Sequence, residues 1–181
     1  MTRVIVAPAA LTGAPLAELK DWLAIRTDGN DALLLAHLRA ALDMCESFTG
    51  VAPLAQLCED ILPARRCRTR LSAAPVTALV EVRRLTLSGA RPALAEADYT
   101  FALDADGEAR LTLTRAVEEG RIVARYVAGL APDWERLDTA LRQGIVRLAA
   151  HYHLERGADG AATPPASVTA LWQPWRRLRL R

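Results

Sequence analysis

Apolar residues in this chain recur every three or four positions, then every second position, then every three or four again. Few folds accommodate that double change of period. Leu16, Leu19 and Leu23, with Trp22 beside them, share one face of a short helix expected over 16–25. Leu34, Leu38, Leu42, Cys45 and Phe48 make the stripe of a longer helix over 31–49. Asp28, Asn30 and Asp31 are its N-cap candidates, and Gly50 stands where a left-handed C-cap belongs. Between about 65 and 129 the pattern turns strand-like. Val76 to Leu87 is rich in Val, Thr and Leu, Tyr99, Phe101 and Leu103 alternate with small or polar residues, and Arg121 to Ala128 runs into Gly129. Asp104 to Glu108 reads as a hairpin turn. Helical spacing returns in Trp134, Leu137, Leu141, Ile145, Leu148 and Tyr152, a helix expected over 133–156 with Asp133 as N-cap and Gly157 as its stop. The fold class is therefore α+β: two N-terminal helices and a long C-terminal helix form a helical body, with a small, mostly antiparallel sheet inserted.

At 181 residues and 51% hydrophobic content the chain can bury one domain-sized core. The expected division is a body over 1–157, then a linker, a short helix and a tail over 158–181. Pro164 and Pro165 suit the first turn of that helix and Pro174 ends it. A formal net charge of +2 gives no general affinity for nucleic acid. Lys20 is the sole lysine among 23 Lys and Arg residues, a compositional skew that lowers the weight of arginine counts as such. Cys45, Cys58 and Cys67 fit no zinc spacing and are expected to be reduced thiols. The run Val4 to Ala10 is too short, and too soon broken by Pro8, to serve as a secretory signal, and no segment reaches membrane-spanning length.

Residues able to do chemistry do not assemble at motif spacing. The chain has no glycine-rich phosphate loop and no nucleophile elbow. His151 and His153 lie two apart on a helix, so they diverge and cannot chelate one ion. His37 is read as a helix-surface histidine. Asp104 and Asp106 lack the remaining ligands of a calcium loop, and Glu118 and Glu119 read as a solvated loop. Arg65, Arg66, Arg68 and Arg70 suit an edge strand guarded by charge. An enzyme would need a site gathered from scattered groups such as His151, Glu155 and Asp133. No catalytic residue, metal site or cofactor is expected.

The last sixteen residues, ASVTALWQPWRRLRLR, stand apart. Trp and Arg dominate protein interfaces, and here Leu171, Trp172, Pro174, Trp175, Arg176, Arg177, Leu178, Arg179, Leu180 and Arg181 collect at one end. A linker precedes them, and the alternation from Arg177 to Arg181 suits strand-like docking. The tail is therefore expected to bury its tryptophans in a partner, and removing Ala166 to Arg181 is expected to leave the body folded. Folding of the tail onto its own domain is the competing arrangement.

The order of segments resembles that of the head–tail connector (adaptor) proteins of tailed phages and gene transfer agents. The resemblance rests on PLAELKDWLAI, TDGNDALL, LAHLRAALDMCESFTG, LSAAPVTALVEV, ARYVAGL, LDTALRQGIVRLAAHYHLERG and PPASVTALWQPWRRLRL, taken in that order. Leu171, Pro174, Trp175 and Arg176 occupy the family's usual ending of Leu, any two residues, Pro, aromatic, Arg. The resemblance implies a structural protein without enzymatic activity, located at a particle neck. Copies would form a ring, commonly of twelve, beneath the portal protein. The C-terminal segment would dock on the portal, and the other side would receive a stopper or tail-completion protein. DNA would pass through the channel without sequence readout. The alternative from a different class is a small nucleic-acid-binding protein that uses the Arg/Trp end to grip phosphate and stack on bases, marked by a steep dependence of binding on salt.

Overall fold

The computed structural model describes residues 2–115, 120–155 and 163–177. The chain divides into two compact units, each assembled from separate stretches: Met1–Pro8 with Ala55–Gly129, and Ala9–Leu54 with Leu130–Arg181. This division differs from the expected one. The C-terminal short helix lies within the second unit, and the expected linker falls largely outside the described residues.

The first unit is a pair of antiparallel sheets. One has the order β1–β2–β7–β4, from strands Thr2–Ala7 (β1), Gln56–Pro63 (β2), Val76–Leu85 (β4) and Arg121–Ala128 (β7). The other has the order β3–β6–β5, from Arg68–Arg70 (β3), Tyr99–Leu103 (β5) and Ala109–Leu113 (β6). Sequence reading places one sheet at about 65–129 and misses β1 and β2. In β2 the reason is visible: Glu59 and Asp60 sit mid-strand where an apolar pattern would be sought, and both are buried.

Glu59 is paired with a charge, and Asp60 is hydrogen-bonded on one oxygen. Arg125 lies opposite Glu59 on one side and Glu81 on the other. Its guanidinium reaches both, at 2.6 Å to Glu59 and 3.1 Å to Glu81, a cross-strand triad of opposite charges. Asp60 accepts the Ser72 N–H at 2.6 Å, and the Tyr126 hydroxyl, itself fully buried, accepts the Ala73 N–H at 3.1 Å. These bonds hold segment 71–74 against β2 and β7. The core beside them gathers Cys58, Leu62, Val82, Ile122 and Ala124 with Leu111 and Leu113 of the second sheet.

Burial raises the Asp60 pKa above the ordinary carboxylate value, while hydrogen bonds from Ser72 and Tyr126 and the charge of Arg3 oppose it. A raised folded-state pKa means that the folded chain holds the proton more tightly than the unfolded one. Stability is then lost as pH rises from the unfolded value, about 3.9, through the folded value. Asp60→Asn removes this term. Its melting temperature relative to wild type is expected to improve between pH 4 and pH 7, and a difference that stays constant across that range would refute the assignment.

The second unit is helical: Ala14–Trp22 (α1), Asp31–Thr49 (α2), Thr139–Leu154 (α3) and Ala166–Trp172 (α4). Helix α1 ends three residues before the expected limit. Ile25 N–H donates to the Lys20 carbonyl and Ala24 N–H to that of Asp21, while Ala24 takes a left-handed φ of 56°. This is a Schellman ending with alanine where glycine is usual, so no residue type announced it. Gly50, with φ 74°, closes α2 in the same hand.

Helix α3 starts six residues after Asp133. Its N-cap is Asp138, whose carboxylate accepts the Ala140 N–H at 2.8 Å. Asp133 instead caps the preceding turn through the Arg136 N–H at 2.9 Å. Trp134 stays buried in that turn and donates its indole N–H to Glu18 of α1 at 2.9 Å. Glu18 also receives Gln143 at 3.3 Å, so one carboxylate ties α1 to α3 and to the turn before it. Helix α3 packs against α1, α2 and α4 around Leu19, Leu34, Leu38, Cys45, Leu141, Ile145 and Leu148.

Candidate partner-docking site at the C-terminal segment

Pro165 precedes α4, and Val168 and Trp172, four positions apart, fall on one helical face. That face meets α3. Trp172 has no exposed surface and donates its indole N–H to the Leu141 carbonyl at 3.4 Å. It fits because α3 has no side chain at Gly144: a Cβ built there would collide with the indole nitrogen. The Phe48 ring of α2 closes the other side, with ring centroids 6.0 Å apart.

The chain beyond Trp172 clasps the end of α2. Residues Gln173–Trp175 form one 3₁₀ turn. Arg176 places its guanidinium 5.4 Å from the Phe48 centroid, and Arg177 N–H donates to the Thr49 carbonyl at 2.8 Å. That carbonyl lies in the last turn of α2, where acceptors lack helical partners and a positive charge is favoured.

The expectation that Trp172 obtains its burial in another molecule is thereby corrected. The sequence showed a linker and a Trp/Arg cluster, but not the gap in α3 that receives the indole. Leu171 and Trp175 pack partly against the same core, and Gln173, Pro174 and Arg176 are exposed. Arg177 is half-buried. Leu178, Arg179, Leu180 and Arg181 lie outside the described residues. The surface that the described segment offers a partner is thus Gln173, Pro174, Arg176 and the outer part of Trp175. Trp22, which is not among the site residues expected from the sequence, is 50% exposed with Arg147 stacked 5.5 Å from its ring. Its signal was its position beside the α1 stripe rather than in it.

The groups considered for catalysis are engaged in structure. His151 pairs with Glu155 at 3.2 Å, one turn on. His37 meets the ring of His153 edge-on at 5.9 Å, so it is not an isolated surface residue. Asp104 pairs with Arg110 at 2.5 Å in the turn before β6, where Gly107 N–H donates to the Asp104 carbonyl at 2.9 Å. Arg68 and Arg70 are exposed on edge strand β3, and Arg70 pairs with Glu108 at 2.6 Å. Glu118 and Glu119 lie outside the described residues. Cys45 and Cys58 are buried, Cys67 is exposed, and burial pushes the Cys45 thiol far up from its ordinary pKa. Among the described residues no group of three or more His, Cys, Asp or Glu stands close enough to hold a metal ion. Among them also, no helix is long and apolar enough to cross a membrane.

An α+β chain whose C-terminal segment caps its own helical unit and then presents Pro, Trp and Arg outward has the parts of an assembly protein. Comparison with solved structures agrees along the whole length. A chain from the virion of a native gene transfer agent particle is 30% identical, with a TM-score of 0.78, and the match covers 100% of this chain and 98% of that one. A chain from the neck of an empty gene transfer agent particle, computed with C6 symmetry, is 28% identical with a TM-score of 0.82 and the same coverage. A chain from the neck of a native particle, computed with C12 symmetry, is 30% identical with a TM-score of 0.77, again at that coverage. No protein-family model matches the chain, and no curated protein matches it significantly. The chain belongs to the head–tail connector (adaptor) family that includes these gene transfer agent neck proteins.

Proposed function

We propose that this chain is a structural component of a particle neck, where copies form a ring that joins a capsid vertex to the tail or stopper. The observation that carries this reading is the end-to-end likeness to neck chains at 30% identity, with both units and the C-terminal segment included. The six-fold and twelve-fold symmetry of those reconstructions supports a ring, with twelve copies as the expected number. Pro174, Trp175 and Arg176, followed by residues 178–181, dock on the portal. Trp172 acts indirectly: it fixes where the docking segment leaves the helical unit. A ring presents many such segments together, so weak individual contacts add to firm attachment. DNA passes through the ring unread, and the chain performs no chemical step.

Cryo-electron microscopy of a particle containing the chain tests this directly. The expected density is a ring between capsid vertex and tail, with the ends after Arg177 directed at the portal. Location elsewhere in the particle, or ends directed away from the portal, would refute the proposal.

A further inference from the structure

Two successive cations stand at the C-terminal end of α2, where the chain leaves the helical unit. Arg176 is exposed, and its guanidinium is held 5.4 Å from the Phe48 centroid. Arg177 is tethered by its backbone N–H to the Thr49 carbonyl at 2.8 Å, and the residue is half-buried. The C-terminal end of a helix carries about half a negative charge. That offsets only part of two full positive charges. Among the described residues no carboxylate pairs with either guanidinium.

Arg177 carries a further mark. Its Nη1 is shut off from water and has no hydrogen-bond partner. A charged donor in that state bears a desolvation cost with nothing to offset it. Arg65, Arg66 and Arg68 are exposed instead, so water satisfies them. A long side chain can turn, and an acceptor brought by a partner would relieve the cost at Arg177 on docking.

The neighbouring rings decide between two kinds of partner. Gripping a nucleic-acid strand through its bases requires open ring faces for stacking. Trp172 has no exposed surface, Trp175 packs partly against the core, and Phe48 lies under Arg176. Phosphate contacts alone would rest on charge, and the formal net charge of the chain is only +2. Carboxylates fit better, because the planar guanidinium fork pairs with a carboxylate through two parallel hydrogen bonds.

We propose that carboxylates of the portal protein meet Arg176 and Arg177, so that the docking partner presents an acidic surface to the end of α2. This rests on the portal-docking reading above and names its chemistry. Arg179 and Arg181 continue the same charge along the sequence. Contacts of this kind strengthen at low ionic strength and weaken as salt screens them.

The test uses isolated portal rings and full-length chain carrying Arg176→Gln with Arg177→Gln, with capture measured from about 50 to about 500 mM salt. Wild-type capture is expected to fall steeply across that range. The glutamine variant should be captured at least about tenfold less at the low end and should respond less to salt. Arg176→Lys with Arg177→Lys keeps the charge but loses the fork, so it should restore the salt response and only part of the affinity. The melting temperature of the free glutamine variant should stay within about 4 °C of wild type, since one exposed cation–π contact is lost. A larger fall accompanying weak capture would overturn the proposal by assigning the arginines to the fold. Equal capture of wild type and the glutamine variant, or wild-type capture indifferent to salt, would also overturn it. Short duplex DNA is the second probe: binding that the glutamine variant loses, with portal capture unchanged, would reassign the arginines to phosphate. Portal rings that capture no wild-type chain at any salt would remove the docking reading itself, and this proposal with it.

Discussion

Replacing Trp172 with alanine is expected to destabilise the helical unit by about 3–5 kcal/mol, the range for emptying a large aromatic site in a packed core. At about 2–4 °C per kcal/mol for a chain of this size, the melting temperature should fall by roughly 10 °C. The indole is fully enclosed between Gly144 and Phe48, so its removal leaves a void that rigid helices cannot close. Gly144→Ala acts on the same contact from the other side. It drives a methyl group into the indole and should cost about 1–3 kcal/mol through overpacking. Combined, the two changes should be non-additive, because the new methyl group occupies part of the space that the indole vacates. Calorimetry on the four proteins of this cycle checks the result. A fall of less than about 2 °C for Trp172→Ala would show that the indole does not sit in the core.

Two truncations should separate folding from docking. Ending the chain after Pro165 removes α4, with Val168 and Trp172, and is expected to unfold the helical unit. From the sequence this deletion is expected to leave the body folded and to abolish portal binding, and the burial of Trp172 reverses the first of those expectations. Ending the chain after Arg177 retains the Thr49 contact and the stacking of Arg176 on Phe48. This shorter deletion should leave the circular dichroism spectrum and melting temperature unchanged, yet weaken capture by portal rings at least tenfold. The amplification comes from the loss of many contacts at once. Unchanged capture would rule out a docking role for residues 178–181. Weakened capture accompanied by a lower melting temperature would instead assign those residues to the fold.

Different parts of the chain were legible to different degrees. Helix α2 could be read because its signals are local: a five-residue stripe at helical spacing, then a glycine whose missing Cβ permits the left-handed cap at 74°. The turn at Asp104–Glu108 was legible for the same reason, since Gly107 with φ 71° is the residue such a turn requires. The end of α1 was not legible, because Ala24 adopts a left-handed conformation that residue type does not announce. Nor was the start of α3, where Asp133 and Asp138 are equivalent in type and only the packed turn around Trp134 selects between them. Strand β2 was hidden by Glu59 and Asp60, whose partners Arg125 and Tyr126 lie more than sixty residues along the chain.

The docking segment marks the same division within a few residues. Composition alone identified Leu171 to Arg181 as unusual, and the order of segments alone carried the family resemblance. Where Trp172 goes could not be read from either. Periodicity records which face of a helix avoids water, and it is silent about what covers that face. The space at Gly144 becomes a socket only when α3 and α4 are brought together, and that juxtaposition is a property of the packed unit rather than of any stretch of sequence.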